Sequence, residues 1–238
     1  MALPILTHPT FDLTVPTTGN KVLYRPFLVK EEKILLLAQQ SNKIADLVRA
    51  VKQILNNCLI EGEVNLETIS TFDIEYIFLK LRANSVNDDA KFKFTDTETD
   101  KEVNIELDLN DVEIVHTDGH TNIIKLNDDV TLEMKYPNYS TLADVDSPEI
   151  VKVTFDMIKA CVDKILVGEG EDQEVHEFKD YSTKEVDDFI DSLTTQNFTN
   201  VQEFFDTMPK LQHEVEYKVG KKTKTRKFVG LADFFPSA

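Results

Sequence analysis

The side chains able to do chemistry are few and scattered. The chain has five histidines, His8, His116, His120, His176 and His213, and two cysteines, Cys58 and Cys161. A metal centre needs three or four such ligands at one point in space. Two cysteines cannot supply a four-thiolate zinc site. His116 and His120 flank Asp118-Gly119, a turn dipeptide that leaves both rings solvated. Cys58 and Cys161 lie in apolar helical patterns, where a buried, reduced thiol is expected. The run DTETD, Asp96 to Asp100, superficially suggests calcium, but it lacks the glycine and terminal glutamate of an EF-hand loop. GEGE at 168–171 has acidic neighbours and no following Gly-Lys-Ser/Thr, so it is not a phosphate loop. There is no nucleophile elbow, no H-E-x-x-H and no Rossmann glycine pattern. The carboxylates are numerous, but none is set apart by spacing from a solvated face. The expectation is no catalytic residue, no metal and no cofactor, hence not an enzyme but a protein that binds other proteins.

With catalytic motifs absent, the organising stretch is Lys21 to Leu37, KVLYRPFLVKEEKILLL. Val22, Tyr24 and Phe27 are the apolar positions of an extended segment, about 21–28. Pro26 holds its own φ near the extended range and biases Arg25 away from the helical region. Lys30, Glu31, Glu32 and Lys33 then open a helix, where early acidic residues suit the positive end of the helix dipole. Before this corner, Pro4, Pro9 and Pro16 interrupt an apolar N-terminal arm. Phe11, Leu13 and Val15 alternate as a short strand would, confined by the prolines to an edge.

Apolar spacing predicts helices over about 30–40 and 43–57, separated at Ser41-Asn42. Ser70 and Asp73 have the spacing of a helix start and introduce a helix over 72–83 that is apolar around much of its circumference. From Lys91 the pattern alternates with period two, through KFKF, VNIELDL, IIKL and VTLEMKY. A helix is expected over about 148–166, opened by Pro148, and a short strand near 172–179. Further helices are expected from Ser182 or Thr183 and, capped by Thr199, through Met208 to Pro209. The segment 211–229 reads as a hairpin. These elements give an α+β fold: a helical body, an inserted antiparallel β subdomain and a C-terminal β-hairpin. The expected division is 1–87 with 138–238 as the body, and 88–137 as the insert.

Charge is unevenly spread. The net charge is −17 and the pI about 4.7, which argues against nucleic acid and against an anionic membrane surface. Residues 87–135 hold 14 Asp and Glu against 5 Lys, whereas 210–229 hold 7 Lys and Arg against 2 Glu. The hairpin is either an exposed basic tip or a contact for an acidic neighbour, such as another copy's acidic insert. The N-terminus lacks the pattern of a signal peptide, and no stretch has the length of a membrane span. An intracellular origin is expected.

Four segments carry a resemblance. YRPFLVKEEKILLLA (24–38), STFDIEYIFLKLRANSV (70–86) with its D-x-E and L-R-x-x-S elements, GLADFF (230–235) and the PTTGN turn before the first strand resemble, in the same order, the baseplate hub subunit family of T-even-type contractile-tailed bacteriophages. The resemblance implies a structural or assembly protein of the tail baseplate hub, made in the host cytoplasm and located in the virion. It implies partners among other baseplate and hub proteins, or a second copy of the chain. The alternative it leaves open is a transient hub-assembly chaperone not retained in the virion. The acidic insert lacks the cysteines of a zinc-stabilised version. Expected contact residues are Tyr24, Arg25, Phe27, Lys30, Glu31, Glu32 and Lys33 at the corner, and Arg82 at the end of the third helix. Lys221, Lys222, Lys224 and Arg226 on the hairpin and Phe234 and Phe235 in the tail complete the set.

Overall fold

The first strand, β1 (Phe11–Thr14), is an edge strand, as its flanking prolines require. It pairs antiparallel with β2 (Lys21–Tyr24), which pairs on its other side with β3 (Leu59–Glu61). The extended segment ends at Tyr24: the Arg25 amide makes the last pairing bond, to the Cys58 carbonyl at 3.0 Å, and Pro26 has no amide to continue a ladder. Gly62 has φ 122°, and a Cβ there would lie 2.6 Å from the Lys21 carbonyl oxygen, so only glycine lets β2 approach.

The computed structural model describes residues 6–41, 44–85, 89–96, 98–143, 149–220 and 222–234. Arm residues Leu3, Pro4 and Ile5, the interruption at Asn42 and the helix-opening Pro148 lie outside them.

The chain forms two compact units. One comprises 1–115 with 210–238, and the other 116–209. In the first, helices α1 (Val29–Ser41) and α2 (Ile44–Cys58) form a helical hairpin. Helix α3 (Thr71–Ala83) follows, and the Ser70 side chain caps it by accepting from the Asp73 amide. Ten of its thirteen residues are buried, including Ile74, Ile77, Phe78 and Leu79. Next come the two-stranded ribbon β4 (Asp89–Asp96) and β5 (Lys101–Asp108), then β6 (Glu113–Val115). The C-terminal hairpin is β11 (Lys210–Val219) with β12 (Lys222–Val229), and β6 adds to β11 in register Ile114 to Leu211. The hairpin lies against the ribbon, with Phe228 on Phe92 (centroids 4.9 Å apart) and Tyr217 edge-on to Phe94 (5.3 Å). A last short turn, α8 (Gly230–Asp233), brings Phe234 back against Phe228.

The second unit is a four-stranded antiparallel sheet with helices. Its strands are β7 (Ile123–Lys125), β8 (Val130–Met134), β9 (Val162–Val167) and β10 (Glu174–Glu177), in spatial order β10-β9-β8-β7. Its helices are α4 (Tyr139–Ala143), α5 (Ile150–Cys161), α6 (Thr183–Asp191) and α7 (Thr195–Thr207). Leu132, Ile158, Cys161, Phe178, Ile190 and Phe204 meet in its core.

The architecture is mixed α+β, and it departs from the sequence reading in three places. The β-rich stretch 88–137 is not one subdomain. Its strands enter three sheets, because apolar faces elsewhere in the chain complete them: Leu211 opposite Ile114, and Ile165 opposite Leu132. The helix expected over 148–166 stops at Cys161, and VDKILV becomes β9, sandwiched between β8 and β10. Its β-branched residues suit a strand, and two waiting partners decide the choice. Finally, α7 begins at Thr194, not Thr199. The Thr194 hydroxyl accepts from the Asn197 amide, while Thr199 bonds back to the Thr195 carbonyl inside the helix.

One half-buried group has a pH consequence. The Glu75 carboxyl of α3 is pushed up to about 7 by burial, offset in part by the donated Leu231 amide of α8. An unfolded chain releases this proton near 4.5, so stability falls as pH rises from there to about 7 and is level beyond. Denaturant unfolding at pH 5 and pH 8 should show the native protein losing about 2–3 kcal/mol. Glu75→Gln should remove most of that difference. An unchanged slope in the variant would assign it to other groups.

Candidate functional site

The corner between β2 and α1 is built around a buried charge. Glu31 has no exposed side-chain surface. Arg25 reaches it with both terminal nitrogens, at 3.0 and 3.3 Å, and the Leu28 amide donates to it at 3.0 Å. Burial opposes its ionisation, but these donors outweigh burial and hold the carboxyl below the usual range. The remaining Arg25 donors go to the carbonyls of Pro26 and Asn57, both at 2.9 Å. The guanidinium therefore ties β2, α1 and the end of α2 together. The neighbouring Cys58 thiol is pushed up to about 11 by burial and is inert as a nucleophile at neutral pH.

Two further bonds fix the corner to α3. The Asn84 amide donates to the Tyr24 hydroxyl at 2.9 Å, and the Phe27 amide donates to the Ser85 hydroxyl at 2.7 Å. Phe27 packs on Phe78 with ring centroids 5.5 Å apart. At the other end of α3, Asp73 accepts from the backbone and hydroxyl of Thr17 and from the Ser70 hydroxyl. Arg82 is half-buried, its pKa lowered by burial and partly restored by Glu32.

The basic hairpin is engaged within its own unit. Lys224 bonds to both oxygens of Asp96, at 2.8 and 3.0 Å, and lies 2.9 Å from Glu98. The Tyr217 hydroxyl adds a bond to Asp96 at 3.1 Å. The Lys224 bond first, then the Thr99 hydroxyl, hold the Asp96 carboxyl well below the usual range. Arg226 stacks on Phe94, 4.0 Å from the ring centroid. The complementary charge that the sequence reading sought in another copy is supplied here by β4 and its turn.

In the second unit, an open groove of about 360 Å³ is lined by Lys135, Lys159, Lys179, Phe178 and Tyr181, among others. Each of its three lysines faces a carboxylate, Asp163, Asp187 and Glu177 respectively, so the groove offers no unneutralised cation cluster. His120 is held by Thr207 and Tyr136 at 2.9 and 3.0 Å, and its pKa is lowered first by burial, then by His116. The Thr207 hydroxyl is already committed as a donor to the Glu203 carbonyl. It can therefore only accept from Nδ1–H, which leaves Nε2 to accept from Tyr136. The ring is a neutral structural bridge. Among the described residues, no three His, Cys, Asp or Glu side chains converge as metal ligands would, and no helix is long and apolar enough to cross a membrane.

The family model of the T4 bacteriophage base plate protein matches residues 8–236. The chain belongs to that family. No curated protein and no solved structure matches it.

In this base plate protein the sequence-marked residues divide sharply. Tyr24, Phe27, Glu31 and Phe234 are buried in their own unit, so their side chains present no surface to a partner. Arg25, Glu32 and Arg82 are half-buried, and Lys224 and Arg226 are occupied as described. Lys30, Lys33 and Lys222 stand in solvent. Lys221 and Phe235 lie outside the described residues. The corner and the α3 residues do come together, through Tyr24, Phe27 and the bonds described above. Sequence reasoning missed Glu75, although a carboxylate between Ile74 and Tyr76, inside FDIEYIFLKL, was a visible signal. Leu36 and Leu37, apolar residues of the same block, are exposed.

Two measurements check this division. Arg25→Ala leaves the buried Glu31 with Lys30 at 3.5 Å and the Leu28 amide only, and should cost on the order of 3 kcal/mol in denaturant unfolding, whereas Lys33→Ala should stay within about 0.5 kcal/mol of the native protein. Lys224→Ala should raise amide exchange in 210–229 and at Asp96–Asp100 while leaving α3 protected. Unchanged exchange there would mean that the ion cluster does not hold the hairpin.

Proposed function

We propose that this base plate protein is a subunit of the central hub of the phage tail baseplate, and that it works by protein–protein docking without catalysis. The observation that supports this reading is the way its hub-like segments fold. The turn at Thr17, the corner Tyr24–Ala38, helix α3 with Asn84 and Ser85, and the ending at Gly230–Phe234 meet around α3 through the bonds and ring contacts described above. They therefore belong to one physical unit of the kind a hub subunit would share. The polar groups in that unit are committed to holding it together: Arg25 to Glu31, Asp73 to Thr17, Lys224 to Asp96. Its partners on this reading are other baseplate and hub proteins, and its place is the tail of the virion after synthesis in the host cytoplasm.

A quantitative mass-spectrometric inventory of purified virions tests the reading. The expected result is the protein at a fixed, low copy number per particle, and in baseplate subassemblies lacking tail tube and sheath. Its absence from mature virions, with presence in assembling baseplates, would overturn the hub-subunit reading in favour of an assembly chaperone.

A further inference from the structure

Helix α1 carries an outward face that folding does not explain. Within the corner block, Glu31, Leu35 and Ala38 point inward and are buried. Val29 is 87% exposed, Leu37 58% and Leu36 50%. Helical spacing of 29, 33, 36, 37 and 40 puts these side chains on one face with Lys33 and Gln40. The exposed charges of α1 are Lys30 and Lys33. Glu31 is buried and Glu32 is turned towards Arg82. In a chain of net charge −17, this is an exposed face of three large apolar side chains interspersed with Lys33 and Gln40, and its exposed charge is positive. Such a face normally marks a contact surface.

The chain also carries a match for it. The segment 169–181, around edge strand β10, has six carboxylates against one lysine. Glu169, Asp172, Glu174 and Asp180 are exposed there, and so are two apolar side chains, Val175 at 53% and Tyr181 at 40%. Lys179, Lys125 and His176 face Glu177, Glu169 and Glu174 there, which leaves Asp172 and Asp180 to give the border a negative balance opposite to that of the α1 face.

We infer that the α1 face docks on the β10 border of a second copy of the chain, so that the protein self-associates head to tail. The inference rests on the docking role proposed above and deepens it by naming the surface. Two different faces meeting in this way make a heterologous contact, which propagates or closes into a ring instead of stopping at a symmetric dimer. The apolar side chains supply the desolvated centre, and the flanking charges set orientation and encounter rate.

Light scattering after size exclusion of the full chain, across a range of concentrations and salt, is the test. Three variants accompany it: Lys33→Glu with Gln40→Glu on α1, Glu174→Lys with Asp180→Lys on the β10 border, and Leu36→Ser with Leu37→Ser. All these positions are exposed, and circular dichroism and melting confirm that each variant folds. The expected result is a mass above the monomer that rises with concentration and falls with salt. Each variant alone should be monomeric. An equimolar mixture of the two charge-reversed variants should recover the native mass, because each then offers the face the other needs. A native protein monomeric at every concentration, or an oligomer indifferent to the substitutions, would overturn the inference. Either result leaves the hub reading intact if the protein is still found in the virion inventory.

Discussion

The first unit depends on the enclosure of α3. A helix with ten of its thirteen residues buried has little face to spare, so its polar groups must find partners inside the protein or destabilise the fold. Asp73 meets Thr17, Glu75 meets the Leu231 amide, and Lys80 meets the Asn110 carbonyl and Glu113. Asn84 and Ser85, at its exit, hold Tyr24 and Phe27. Each of these bonds goes to a different segment of the chain. Apolar burial supplies the driving force, at roughly 1.5–3 kcal/mol per large side chain. The polar bonds add position, because an incorrectly docked segment would leave a buried group unsatisfied.

Charge follows the same logic. The contrast between an acidic middle and a basic hairpin reads, along the sequence, as a pair of intermolecular signals. In space, Lys224 closes on Asp96 and Glu98, and Arg226 covers an aromatic ring. The hairpin is long, and two adjacent antiparallel strands are marginal without a packed face. The ribbon gives it that face, and the ion cluster pins the register at the far end. Charge asymmetry along a chain therefore bears first on which segments of that chain meet. Only what remains in solvent after that pairing bears on partners.

Much of this was legible. Local signals held wherever the deciding chemistry was local: Ser70 with Asp73, a helix start at Ser182 or Thr183, of which Ser182 is the cap, the arm confined to an edge by prolines, the hairpin at 211–229. They failed where a distant partner decides. VDKILV fits either a helix end or a strand, and β8 and β10 settle it. Thr194 and Thr199 are equally plausible caps by residue type, and only the reach of α7 separates them. The burial of the corner residues was not legible for a different reason. Aromatic and charged side chains in a strand-to-helix corner look surplus to helix physics, yet Tyr24, Phe27 and Glu31 are what fasten the corner to α3 and to Arg25.

That outcome reverses how such a block should be read for function. A residue type that generic secondary structure does not demand can still be demanded by tertiary structure, as Arg25 and Glu31 are. What survives as a functional signal is the residue that neither explains. In the block 24–38 those are Val29, Leu36 and Leu37, which touch solvent where a free surface would favour polar side chains. Subtracting the interactions that build the fold from the residues that mark the sequence leaves a short list, and that list lies on one face of one helix.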